Sequence, residues 1–126
     1  EGQVRGFKGD IIPPDNWKYF NCECKSYADF PFHHFLYNKK IPLLEGWINQ
    51  TMDIAEQGDV NILFMKFNRK GTYVAFQEYL INKGWRCPIH VKYNSENHGT
   101  WIFLSTDEFW EYNTERFEYH CVSGTI

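Results

Sequence analysis

A single layered domain of mixed α/β class, with a β-sheet flanked by helices, is what three stretches of this sequence predict. The run 60–67 (VNILFMKF) is continuously apolar and of strand length, the pattern of a central strand covered on both faces. Pro42 opens an amphipathic stretch that reaches about Gln57 before Gly58 stops it. Leu43, Leu44, Trp47, Ile48, Ile54 and Ala55 supply its apolar face at helical spacing. Ser105 or Thr106, followed by Asp107 and Glu108, caps and charges the start of a closing helix. The 126 residues suffice for one domain with a real core.

The remaining elements fall between these. Gly9-Asp10-Ile11-Ile12 reads as a short strand, and Pro13-Pro14-Asp15-Asn16 as a dense turn. Trp17 to Lys25 follows as a longer, aromatic strand, so the two form an antiparallel hairpin. Tyr27 to Asn38 is aromatic and irregular, broken by Pro31. Asn68-Arg69-Lys70-Gly71 turns the central strand into another at Thr72 to Phe76. A loop around Gly84 to Pro88 leads to a hairpin of His90 to Tyr93 with Thr100 to Leu104. Phe109, Trp110, Tyr112 and Phe117 on the last helix read as core or interface aromatics.

Composition narrows the function classes. With 19% aromatic and 23% charged residues the chain is a folded, globular one rather than a disordered one. No apolar run approaches the ~18 residues of a membrane span, and the reading is of a soluble, cytoplasmic protein. The net charge of −3 counts mildly against a nucleic-acid partner. It does not exclude one, because acidic metal clusters offset basic residues that gather locally at Lys39-Lys40, Lys66 and Arg69-Lys70. Cys22 and Cys24 are two apart, which is not the spacing of loop-bridged zinc ligands. Cys87, His90, His120 and Cys121 offer further ligand types, but reduced, partly buried thiols are the expectation.

The chemistry concentrates in Lys8-Gly9-Asp10-Ile11-Ile12 and Cys22-Glu23-Cys24-Lys25. In a strand Glu23 and Lys25 face the same way, so a carboxylate and an ammonium stand side by side, able to serve a metal ion and a water. A third group must come from the neighbouring strand. Asp15 lies in the turn, and eight strand residues at ~3.3 Å each would leave it ~25 Å from Glu23. Asp10 returns opposite residues 21–23, so it is the expected partner. Mg²⁺ takes hard oxygen ligands, and Asp10, Glu23 and the Cys24 carbonyl supply them, with Mn²⁺ able to substitute. Lys25 would orient or deprotonate the attacking water, or offset charge in the transition state.

These motifs carry a resemblance. KGDIIPPDNWKYFNCECKSYADFPF resembles the PD-(D/E)XK nucleases, and within them looks most like Holliday junction resolvases of the RecU type and their bacteriophage counterparts. It extends over roughly residues 7–76 and takes in the helix EGWINQTMDIA and the strand-turn-strand ILFMKFNRKGTYVAF. The resemblance implies a restriction-endonuclease-like core and places the family's aspartate on Asp10, its glutamate on Glu23, its lysine on Lys25 and its helix glutamine on Gln50. Gln50 is expected on the flank of its helix that turns toward the sheet. Such nucleases usually carry an acidic helix before the aspartate strand, so the sequence in hand is expected to lack an N-terminal segment.

The function expected is a Mg²⁺-dependent, structure-selective DNA endonuclease, acting on four-way junctions as a homodimer, since two symmetric cuts suit a C₂ pair. A nuclease on duplex ends, or a catalytically inactive nuclease-fold module binding DNA or protein, are the alternatives. Lys39, Lys40, Arg69 and Lys70 are the candidate DNA contacts, and His33 and His34 could approach the scissile phosphate.

Overall fold

The computed structural model describes residues 19–123. Asp10, Asp15 and the first strand of the expected hairpin lie outside the described residues. The order is β1 (Phe20–Tyr27), α1 (Pro42–Asp53), β2 (Val60–Phe67), β3 (Gly71–Gln77), β4 (Val91–Ser95), β5 (Gly99–Ser105) and α2 (Thr106–Ser123). The described strands form one mixed sheet in the order β1-β2-β3-β5-β4. β1 lies parallel to β2, and every other pairing is antiparallel. A parallel neighbour requires a crossover, which α1 provides.

β2 is central because almost nothing on it tolerates water: all its residues but Lys66 are buried. Its even residues, Ile62 and Phe64, join Phe76, Trp85, Phe109 and Phe117 in one core beneath α2. Its odd residues, Leu63, Met65 and Phe67, join Leu44, Trp47, Ile48 and Phe103 in a second core beneath α1. The sheet is thus the middle of three layers, as a two-faced apolar strand demands. Gly71 closes the β2–β3 turn at φ +93°, a backbone conformation that suits glycine far better than an L side chain.

Several expectations change. α1 ends at Asp53 rather than near Gln57, because Asp59 competes for the backbone that follows. Its carboxylate accepts the Glu56 N–H at 3.0 Å and its own N–H donates to the Glu56 carbonyl at 3.1 Å, closing a turn around Gly58. Ile54, expected on the apolar face, is therefore 61% exposed. The stretch read as irregular contains a 3₁₀ turn over Phe32–Tyr37, and another occupies Glu78–Lys83. On α2, Phe109 and Phe117 are buried as expected, while Tyr112 is exposed and stacks beneath Arg86. Ser105 does cap that helix, its hydroxyl accepting the Glu108 N–H at 3.1 Å. Among the described residues no helix is long and apolar enough to cross a membrane.

Candidate active site

Strand alternation splits β1 in two. Phe20 and Cys24 are buried beneath α2, with Cys22 packed against the same core. Asn21, Glu23, Lys25 and Tyr27 occupy the opposite face, where α1 touches them at both ends. Asn21 donates from Nδ2 to the Thr51 carbonyl at 2.7 Å and to Asn61 Oδ1 at 3.0 Å. At the other end Tyr27 meets Trp47 edge-on, their rings 6.3 Å apart. Between these anchors, Lys25 Nζ stands 3.8 Å from Glu23 Oε1, with side-chain exposures of 23% and 15% respectively. The expected carboxylate–ammonium pair is therefore present, on one face and half-withdrawn from water.

The register fixes its height in the sheet: Glu23 lies beside Leu63 and Lys25 beside Met65. The Tyr19 carbonyl accepts from Val60 N and the Tyr27 carbonyl from Asn68 N, so the odd residues of β1 turn their backbone groups to β2. By the same alternation the Cys24 carbonyl turns to the side of β1 away from β2. Glu23 and that carbonyl are hard oxygen donors of the kind Mg²⁺ or Mn²⁺ accepts. All four cysteines are free, and burial, with Cys121 the next influence, holds the Cys22 thiol far above its ordinary value and so protonated. His90 and His120 are taken by backbone carbonyls, of Cys87 at 2.7 Å and Tyr19 at 2.9 Å. No group of three His, Cys, Asp or Glu able to hold a metal occurs among the described residues.

The structure gathers only some of the other candidates. Gln50 is exposed rather than turned to the sheet, because the buried arc of α1 runs through Leu44, Trp47, Ile48 and Thr51 and leaves it on the rim. Arg69 and Lys70 sit in the β2–β3 turn, at the sheet end where Lys25 also lies. Lys39 and Lys40 do not join them. Lys40 Nζ donates to the Asn94 carbonyl at 2.6 Å, and Asn94 pairs with Thr100. β5 runs parallel to β2, so that corner belongs to the opposite end of the sheet. His33 and His34 stand edge to face, 4.6 Å between ring centroids. His33 lines a hollow with Asp29 and Lys70. Burial chiefly, then the charge of His33, lowers the pKa of His34.

Two features were not read from the sequence. The amide ladder Asn21–Asn61–Gln77 crosses three strands, with Asn61 Nδ2 donating to Gln77 Oε1 at 3.0 Å, and needs the register to be seen. Tyr27 continues the row of Glu23 and Lys25, a placement that period-two counting could have found. Against known proteins, residues 1–118 match the model of a family described as "Phage putative PDDEXK endonuclease". No curated protein and no solved structure matches the chain. An acidic–lysine strand, outermost among the described strands of a mixed, helix-flanked sheet, agrees with that match, and the chain belongs to the phage PDDEXK endonuclease family.

Proposed function

We propose that this protein is a metal-dependent endodeoxyribonuclease that hydrolyses DNA phosphodiester bonds, with branched DNA of the four-way-junction type as substrate and a homodimer as the acting form. The observation that carries the reading is the Glu23–Lys25 pair, 3.8 Å apart and half-buried on one strand face, in a chain of an endonuclease family. In this reading Asp10, Glu23 and the Cys24 carbonyl hold Mg²⁺. The bound ion would polarise the scissile phosphate and make a water more acidic. Glu23 keeps a carboxylate at fixed height beside Lys25. The Lys25 ammonium orients the attacking water or offsets the negative charge that builds on the phosphate. Gln50, on the helix rim, can approach the same water from the side. Arg69 and Lys70 hold the DNA backbone at the near end of the sheet, and Lys39 and Lys40 would touch only a substrate long enough to reach the far corner.

The test compares a synthetic four-way junction with linear duplex and flap DNA, with and without Mg²⁺. Junction cleavage that stops in chelator is expected. No cleavage of any substrate with Mg²⁺ or Mn²⁺ sinks the reading, and equal rates on linear duplex remove the junction from it. Asp10→Asn should abolish cleavage and spare junction binding, whereas Asp15→Asn should do little. If Asp15→Asn alone kills activity, the aspartate has been misassigned.

A further inference from the structure

The side-chain row on the open face of β1 does not end at Lys25. Tyr27 lies one strand repeat further on, about 6.6 Å along the same face. It is 53% exposed, although it borders the core beneath α1. The ring is held from behind: it abuts Trp47, which is buried and itself stacked on Phe67 with centroids 6.0 Å apart. Its hydroxyl forms no hydrogen bond with a described residue, so nothing in the described fold accounts for the phenol's outward face.

Cationic residues lie near that face along the chain and across the sheet end. Lys25 precedes it on the strand. On the other side the Tyr27 carbonyl accepts the Asn68 N–H at 3.2 Å, which ties the Asn68–Gly71 turn to the end of β1. Arg69 and Lys70 are exposed in that turn. Among the described residues the Lys70 ammonium pairs with Asp29, at 3.5 Å, and both side chains are well exposed, so an incoming phosphate can displace that pair.

An open aromatic ring with cationic residues near it matches an unpaired nucleotide: the base stacks on the ring and the phosphates meet the charges. Continuous duplex offers no such base, because each face is covered by its neighbour. We propose that Tyr27 is a stacking platform for a nucleobase released from the helical stack beside the cut, with Lys70 and Arg69 on the adjoining phosphate. This rests on the nuclease reading and narrows it to DNA with unpaired or splayed nucleotides at the cleavage point.

Three variants separate the platform from a packing role. Tyr27→Leu keeps an apolar contact for Trp47 and loses the ring, and Tyr27→Phe keeps both. On flap and junction DNA, Tyr27→Leu should lose about 5- to 150-fold in kcat/KM, the range set by one base–aromatic stack. Tyr27→Phe should stay near wild type, cleavage of continuous duplex should be unchanged by either, and thermal melting should not move. Lys70→Ala should weaken binding to all DNA without this selectivity. In parallel, a single-stranded oligonucleotide carrying 2-aminopurine should be quenched by the wild-type chain and not by Tyr27→Leu. Equal losses on duplex and branched DNA, or no loss with Tyr27→Leu, overturn the proposal, as does a Tyr27→Phe defect as large as that of Tyr27→Leu. The fluorescence arm needs no cleavage. Quenching by a protein that cuts nothing would leave the platform standing and remove the nuclease reading, whereas cleavage without quenching would do the reverse.

Discussion

The even and odd residues of β1 share one backbone and live in opposite surroundings. Phe20 stacks on Phe117 at 4.1 Å, and Cys24 is closed off beneath α2, which runs from Thr106 to Ser123. On the other face α1 is shorter, ending at Asp53, and leaves Glu23, Lys25 and Tyr27 partly open beside it. The two helices differ in length as well: 18 residues of helix span about 27 Å and 12 about 18 Å. The lesson is that the closed face supports the open one. Side chains locked in a core fix the strand, and so fix the height and spacing of the charges on its other face.

Changes on the open face should therefore cost chemistry and spare the fold. Glu23→Gln and Lys25→Ala should each lower the single-turnover cleavage rate by about 10²- to 10⁴-fold at saturating Mg²⁺. Melting temperature should shift by no more than a few degrees, since neither residue fills the core. A large drop in stability would mean that the pair is a structural element. For Lys25→Ala the loss in rate should far exceed any loss in DNA affinity, and equal losses would reduce Lys25 to a phosphate contact.

On the closed side the reverse is expected. Phe64 is fully buried and touches the rings of Phe109 and Trp110. Phe64→Ala should cost about 3–5 kcal/mol of unfolding free energy, measured by denaturant titration. Cleavage per folded molecule should change little below the lowered melting point. If activity falls in step with Glu23→Gln while stability holds, the two faces are not separable.

What the sequence made legible follows the same division. The apolar run of β2, the proline start of α1 and the Ser105 cap of α2 are local signals with strong physical causes, and they held. The row Glu23–Lys25 was legible because strand alternation needs no partner to be known. The stop of α1 was not, since Gly58 is the louder signal and the Glu56–Asp59 turn depends on a side chain reaching back. The place of Gln50 went with it, as its direction depends on where the buried arc is centred. The separation of Lys39-Lys40 from Arg69-Lys70 could not be read either. It follows from β5 running parallel to β2 two strands away, which no local pattern encodes.

The smallest expected effect lies at the border between the faces, at Asp29. Its carboxylate accepts the Phe30 N–H at 2.8 Å and lies 3.5 Å from Lys70. The backbone bond first, and Lys70 second, hold its pKa below the usual carboxylate value, so it is ionised throughout the neutral range. Asp29→Asn keeps an oxygen for the Phe30 N–H and removes only the charge. With Lys70 released, affinity for DNA should rise about 2- to 5-fold at low salt, and the gain should fade as salt screens it. The sign with pH is set by the depressed value. Any stability that the Asp29 charge adds is fully present above about pH 4, the unfolded carboxylate range, and is lost as pH falls through the lower folded value. Melting curves of wild type and Asp29→Asn should thus differ slightly at neutral pH and converge in acid. Binding titrations at two salt concentrations read the other half. An affinity that is unchanged or lower at low salt would place Lys70 away from the DNA backbone, and the cation flanking Tyr27 would have to be Arg69 alone.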